Sequence, residues 1–485
     1  MVMGDYNMSR GVQETREYPG AHQPFRVAQK LISEHFLDED GYPILKFYRG
    51  EWWRYQGTHW AVQEEMDLKT ELYEILESAV VHNQSKDSWS PWNPDKAKIA
   101  KVLEPLRGLC NRHVSDDRDM PYFVHDGYGR RAQDYAPVAN GLVYLPTGEL
   151  YEHTPRFFAP YVLPYEYSVG AQCPTWDRFL ADVFEHDPAA INLLQEWAGY
   201  LISGRTDLHK ALLLIGPPRG GKGTISRTIK ALIGMENTAS PGLRDFASDF
   251  GLEQLVGKPL AVVEDARGDD KPAPREVERI LNITGEDQVS LNRKNRSYWI
   301  GTLNTRLMFV SNETPKLIDA SGAIVTRFMS VNLVKSFADK PDATLGSRIM
   351  EELPGVFNWA LEGAKRLERQ GAFTVPATME DVANEMRDLA APVQAFIRDQ
   401  YEITSNEDDR RLLREVYQDY KQWCRDEGRA PVSQSELGRR INALAPRVRM
   451  ALREVKESEM NAGGWSVEAH KRGKRKRDRF VLGII

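Results

Sequence analysis

A lysine behind a glycine-rich turn, two adjacent carboxylates after one apolar run and an asparagine after another are the residues of this chain best placed to do chemistry. The turn is "GPPRGGKGT", residues 216–224, in which Gly216, Gly221 and Lys222 meet a G-x-x-x-x-G-K spacing between the apolar run "ALLLI" and the helical stretch "ISRTIKALIG". In that context the backbone N–H groups of Gly216, Pro217 to Gly221 (the two prolines excepted), Lys222, Gly223 and Thr224 are expected to cradle nucleotide phosphates, with Pro217, Pro218, Arg219 and Gly220 shaping the loop and Lys222 reaching the outer oxygens. The residue after the lysine is normally a magnesium-binding Ser or Thr; here it is Gly223, so Thr224 is the candidate hydroxyl.

The carboxylates are Glu264 and Asp265 in "LAVVEDA", 42 residues after the lysine. At a strand end one carboxylate, Asp265 here, can hold Mg²⁺ while its neighbour orients an attacking water. Side chains alternate along a strand, so the two acids are not expected to face a ligand equally. Asn312 ends "LMFVSN", where an amide can bond both a terminal phosphate and a water. A lone Asn at such a place is otherwise a turn former.

These residues need short buried strands alternating with helices to bring them together. "ALLLIG", "KPLAVVEDA" and "TRLMFVSN" are continuous apolar runs, and "KGTISRTIKALIG" is helical up to Gly234. Such alternation predicts a parallel sheet covered on both faces, with ligands at the carboxyl ends of its strands. Before it, "KFYRGEWWRYQGTHWAV" and "ANGLVYLPTGELYEHT" carry strand signals and "EEMDLKTELYEILESAVVH" a helical one, predicting an α+β domain. After it come three helical stretches and then "GGWSVEAH" and "RFVLGII" flanking "KRGKRKRD", the pattern of a winged helix. The expected division is a disordered stretch at 1–23, an α+β domain at 24–170, a nucleotide-binding α/β domain at 171–375 and a winged-helix domain at 376–485.

With 485 residues, 41% hydrophobic and 28% charged, the chain is long enough for about three domains. No apolar run is long enough for a membrane span or a signal peptide, so a cytoplasmic protein without a membrane partner is expected. Cys110, Cys173 and Cys424 lie too far apart for a disulfide framework, and "CNRH" lacks the second pair a zinc site needs. The net charge of −6 hides an asymmetry: from Arg429 onward 14 Lys/Arg face 6 Asp/Glu, a local balance of +8 that leaves −14 for the rest. That suits a basic module on an acidic body. Lys474, Arg475, Lys476 and Arg477, between two apolar strands, are expected to touch DNA phosphates as the tip of the wing.

In the order "GPPRGGKGT", "AVVEDA", "ITGEDQVSLNRKNRSYW", "LMFVSNETP", "TRFMSVNL", the chain resembles superfamily III helicases, in particular the phage and plasmid primase-helicase group related to the poxvirus-type primase-helicase. The resemblance runs from about residue 30 to the C-terminus and implies an AAA+-like P-loop NTPase between a pre-motor domain and a winged helix. It implies Lys222, Glu264, Asp265 and Asn312 as catalytic residues, ATP and Mg²⁺ as cofactors, and Arg327 as an arginine finger acting on a neighbouring subunit's site. It further implies a hairpin in "SLNRKNRSYWIG" whose Arg293, Lys294 and Arg296 hold single-stranded DNA in a ring channel, most simply a hexamer's. The implied activity is ATP-dependent unwinding of forked DNA in phage or plasmid-like replication, in a bacterial host's cytoplasm, with a separate primase or other replication proteins as partners. Too few residues precede the pre-motor domain for a primase-polymerase fold, so primer synthesis is not expected. Two other readings are weighed: a nucleoside-monophosphate kinase, which also uses GKGT but has no need of Asn312, Arg327 or a winged helix, and an ATP-gated initiator or scaffold that assembles on origin DNA without unwinding it.

Overall fold

The computed structural model describes residues 16–111, 119–124, 131–266, 274–294, 296–317, 319, 322–339, 342–404, 406, 408–444, 448–454 and 477–485. Three units follow one another along the chain, and the middle one is built on a five-stranded parallel sheet.

The N-terminal unit packs the helices Pro24–His35 and Lys96–Asn111 with the antiparallel meander Leu45–Tyr48, Glu51–Tyr55 and Trp60–Gln63. Tight glycine turns make the meander possible: Gly50 and Gly57 both have positive φ, 82° and 86°. The first 23 residues are not all outside this unit. Arg16–Glu17 pairs in parallel with Ala79 and Val80, Tyr18 is buried, and Trp92 donates to the Pro19 carbonyl at 2.9 Å. The aromatic Tyr18 is therefore core material, with half-buried Pro19 beside it. Polarity made that stretch look disordered; residues 1–15 lie outside the described residues.

In the central sheet the strands lie in the order Thr238–Ala239, Leu260–Glu264, Arg306–Ser311, Ala211–Ile215, Phe328–Asn332, all parallel. Every residue of Ala211–Ile215 is buried, as a strand covered on both faces requires. One face is covered by Lys222–Ile233 together with Pro188–Ile202 and Leu353–Gln370; the other is covered by Pro274–Thr284 and the segment around Phe246. Helices Pro188–Ile202 and Leu353–Gln370 meet backbone to backbone, because a Cβ on Gly199 or Gly363 would overlap main-chain atoms of the other helix. Glu196 is fully buried at this crossing and accepts from Arg366 Nε at 2.6 Å and Thr374 N at 2.6 Å.

Both expected boundaries of the central unit shift. The antiparallel strands Tyr135–Val138 and Gly141–Tyr144 send Ala136, Val138 and Val143 into the core of the central sheet, so the seam falls nearer 131 than 170. Likewise Val382 and Met386 of Met379–Ala390 join the central core, and a separate C-terminal core begins at Val393. That last core gathers the helices Pro392–Gln400, Leu413–Asp426 and Gln434–Asn442 on a three-stranded antiparallel sheet. The partner of the terminal strand Arg477–Leu482 is Arg449–Glu454 on one side and Arg410–Leu412 on the other. "GGWSVEAH", expected as that partner, lies outside the described residues. The alternating "RMALRE" matches the terminal strand in length and was hidden in the sequence by its charges.

Candidate functional site

Parallel register places the candidate residues on one edge of the central sheet. Ile215 pairs with Ser311 and Val310 with Glu264, so Gly216, Asn312 and Asp265, the residues that follow, leave their strands side by side. Neighbouring strands are about 4.8 Å apart, which puts Gly216 and Asp265 roughly 10 Å apart, with Asn312 between.

The glycine-rich loop is shaped by three residues of positive φ: Gly216 at 157°, Arg219 at 60° and Gly221 at 101°. A Cβ at Gly216 would overlap the Leu333 carbonyl oxygen, so the residue type follows from the close strand beside it. Gly221 is the N-cap of the helix Lys222–Ile233; its carbonyl accepts from Thr224 N and Ile225 N, each at 3.0 Å, which leaves the N–H groups of Lys222 and Gly223 without intrahelical partners at the loop. Lys222 is 8% exposed. Its Nζ donates to the carbonyls of Gly216 at 2.5 Å and Pro217 at 2.8 Å, and among the described residues no carboxylate pairs with it. Burial pushes the ammonium pKa down from its usual value. A buried cation compensated by neutral carbonyls alone is matched to an anion in the loop.

Glu264 is the last residue of its strand and Asp265 lies just beyond it. Glu264 is exposed and held by Lys230 of the loop's own helix, Nζ to Oε1 2.7 Å. Asp265 is exposed at φ 56°, where the strand turns away. Asn312 is exposed at the same edge, and half-buried Thr224 has its Oγ1 3.5 Å from Arg227 Nη2, which donates to it. Among the described residues no cluster of three or more His, Cys, Asp or Glu is arranged to hold a metal by itself. One hydroxyl and one or two carboxylates across the loop suit a magnesium ion that takes its other ligands from phosphate and water.

Beside the loop opens a cleft of about 910 Å³ between the helices Pro174–Val183 and Leu345–Glu351. Gly221, Gly223 and Thr224 form its floor, and Phe179 and Phe337 its aromatic walls. Arg178, Arg219 and Arg227 line it without a carboxylate partner among the described residues, while Arg348 is paired with Asp342. Phe337 N donates to the Arg219 carbonyl at 3.0 Å, tying the wall to the loop. Sequence reasoning found Arg219 and missed Arg178, Phe179 and Phe337. The only signal was the amphipathic "WDRFLADV", which gives a helix with an exposed Arg178 strip but not its aim.

Arg327 is far from this edge. It ends the short helix Ala323–Arg327 and precedes Phe328, which pairs with Ala211 at the opposite end of the sheet. Five residues of strand separate it from the loop, about 16 Å. Its surroundings there are Lys210 and the turn at Gly285.

The basic hairpin forms as expected, with Gln288–Arg293 paired to Arg296–Thr302. Its cations are not equivalent. Arg293, expected to meet DNA, has a side chain only 8% exposed and donates Nη1 to Glu51 Oε1 of the N-terminal unit at 2.9 Å. Lys294 is exposed, and the Arg296 side chain lies outside the described residues. On the second strand Tyr298 is exposed, while Trp299 is buried beneath Arg49, whose guanidinium is 5.3 Å from its ring. Lys474, Arg475 and Lys476 lie outside the described residues, as does the side chain of Arg477. Cys110, Cys173 and Cys424 are all free and buried; Cys110 is pushed up to about 12 by burial, as befits a packing cysteine. No described helix is long and apolar enough to cross a membrane.

Residues 46–185 match the family described as D5 N terminal like. Residues 214–327, from the glycine-rich loop to Arg327, match a family of unknown function, DUF5906. The curated proteins gave no match. Among solved structures, "The apo structure of NrS-1 C terminal region (305-718)" is 13% identical with a TM-score of 0.49, covering 91% of this chain and 96% of that one. "The A form apo structure of NrS-1 C terminal region-CTR(305-718)" is 11% identical with a TM-score of 0.46, over 95% and 100%. A further form of that C terminal region is 14% identical with a TM-score of 0.44, over 73% of each chain.

Proposed function

We propose that this chain is an ATP-driven DNA helicase of the superfamily III type, acting in phage or plasmid-like replication as a ring in which each nucleotide site lies between two subunits. The observation that carries the reading is Lys222: a buried ammonium held only by carbonyls, at the mouth of a glycine loop that a helix N-terminus faces. The strand order supports it, since Arg306–Ser311 lies between the loop strand and the acidic strand and delivers Asn312 between Gly216 and Asp265. The D5 N terminal like match over residues 46–185 agrees with the resemblance to primase-helicases.

In this reading the phosphates of ATP lie on residues 216–224, and the base enters the cleft between Phe179 and Phe337. Lys222 exchanges its two carbonyl partners for phosphate oxygens. Thr224 and Asp265 would hold Mg²⁺, which when bound neutralises phosphate charge. Glu264, once freed from Lys230, accepts a hydrogen bond from the attacking water, and Asn312 fixes that water against the terminal phosphate. Arg327, about 16 Å from its own loop, would in this reading serve the site of a neighbouring subunit rather than its own. DNA contacts fall to Lys294 and Arg296 at the hairpin and to residues 474–477 of a winged-helix domain, each phosphate contact steepening the salt dependence of binding.

Strand displacement on a forked DNA tests the proposal with wild type, Lys222→Ala and Arg327→Ala. Wild type is expected to displace the strand and each variant to lose activity by at least about a thousandfold. Mixing the two variants is expected to restore part of the ATPase. Turnover by Arg327→Ala at the wild-type rate removes the finger. DNA-stimulated hydrolysis without displacement by wild type replaces the helicase reading with the initiator reading.

A further inference from the structure

A second cavity, of about 250 Å³, lies where the N-terminal meander meets the root of the basic hairpin, well away from the glycine-rich loop. Tyr48, Trp53, Tyr161, Lys258, Trp299 and Arg306 are among its walls. Two of these residues bring buried donors without acceptors. Arg306 is 3% exposed; its Nη1 donates to the Asn304 carbonyl at 2.8 Å and its Nη2 to the Leu201 carbonyl at 2.7 Å, while Nε has no partner among the described residues. Trp53 is 7% exposed, and its Nε1–H likewise has no partner there. Beside it stand the phenols of Tyr161 and Tyr200, and among the described residues no carboxylate pairs with Arg306. Of the wall's three acids, Glu51 and Asp119 are held by Arg293 and Arg49, and Glu253 accepts from Lys294 N at 3.4 Å.

A guanidinium buried without a counter-ion is costly, and a buried indole N–H without an acceptor adds to the cost. An occupant that supplied one negative charge, hydrogen-bond acceptors and a flat ring for the aromatic walls would relieve both. Cavities of this kind favour domain junctions, and this one has room for a single small ring compound. We propose that the junction cavity binds one nucleotide, its phosphate toward Arg306 and its base against Trp53 and Tyr48. The nucleotide arrives either free or as one unit of a single strand led in along the hairpin. The site stands apart from ATP hydrolysis and is independent of whether the glycine-rich loop works.

Calorimetric titration of the full chain carrying Lys222→Ala, which removes the loop as a competing site, provides the test. Thymidine 5′-monophosphate is expected to bind one to one, more tightly than inorganic phosphate, and Trp53→Phe, which keeps the ring and removes only the donor, is expected to weaken it roughly tenfold. Affinity unchanged by Trp53→Phe, or phosphate binding as tightly as the nucleotide, would overturn the proposal, as would the absence of binding. A short oligothymidylate that competes with the monophosphate assigns the site to the strand; one that does not compete assigns it to the free nucleotide. Should Trp53→Phe fail to fold, protection of Lys258 from amine acetylation by the monophosphate in the Lys222→Ala chain carries the test, and equal labelling with and without it counts against the site.

Discussion

The glycine-rich loop and the basic hairpin are both turns crowded with cations, and the fold treats those cations in opposite ways. At the loop Lys222 meets only carbonyls, and Arg178, Arg219 and Arg227 line the adjoining cleft without carboxylates among the described residues. At the hairpin Arg293 is already committed to Glu51, 242 residues earlier in the chain. A basic turn is therefore not by itself an anion site. What distinguishes the two is whether the surrounding fold has supplied the counter-charge.

Lys46 is the extreme of the comparison and gives the largest expected effect. It is buried with no hydrogen-bond acceptor among the described residues, 4.8 Å from the Trp60 ring centroid and 4.6 Å from that of Phe158, and burial pushes its pKa from the ordinary 10.5 to about 7. Because the folded value lies below the unfolded one, the unfolded chain holds more protons between pH 7 and 10.5, and stability rises with pH across that window. This group alone should contribute a rise of about 5 kcal/mol, flattening below pH 7. Denaturant unfolding of Lys46→Met against wild type should show that rise disappear. Parallel curves would mean that the lysine reaches water.

Gly216→Ala tests the loop's side of the comparison. It adds a Cβ against the Leu333 carbonyl at φ 157°, with an expected loss of about 3 kcal/mol in the free energy of denaturant unfolding and loss of nucleotide binding. Gly223→Ala meets only the flexible end of Arg227 at 3.3 Å, and should be neutral or slightly stabilising. Equal effects at the two glycines would contradict the loop's conformation.

On the hairpin's side, Glu51→Ala leaves Arg293 buried without its partner. Exposures of 8% and 17% for the two side chains suggest a cost of about 2 kcal/mol, somewhat below that of breaking a fully buried pair. If Arg293, relieved of Glu51, then reaches DNA, the slope of log affinity against log salt should steepen by about 1. An unchanged slope would leave Arg293 a purely structural cation. The smallest effect is expected from Lys230→Met, since Glu264 is 58% exposed and the pair should be worth under about 1 kcal/mol in thermal unfolding.

The parts legible in the sequence were those whose chemistry is local. "ALLLI" before the glycines and "ISRTIKALI" after them dictate a buried strand, a turn and a helix within two dozen residues, and the strand ends carrying Glu264, Asp265 and Asn312 follow from the same apolar runs. The Arg293 ion pair was not legible because its partner comes from a distant strand, and nothing in "SLNRKNR" points to Glu51. The cleft walls escaped notice for the same reason: Phe179 and Phe337 come from opposite sides of the sheet's sequence and meet only through the tertiary fold. The boundaries near 131 and 391 were obscured because polar surface residues interrupt the apolar pattern of segments that nevertheless pack onto the central core.

Glu352 lies at the foot of the cleft, between the helices Leu345–Glu351 and Leu353–Gln370, and its carboxylate accepts from Thr175 N at 3.0 Å and Trp176 N at 3.2 Å across the gap. The two walls are thus stapled together at their base before anything enters. A ligand that fits between them has little ordering entropy left to lose, so its residence time should be governed by how it leaves the arginines at the rim and hardly at all by reopening of the walls.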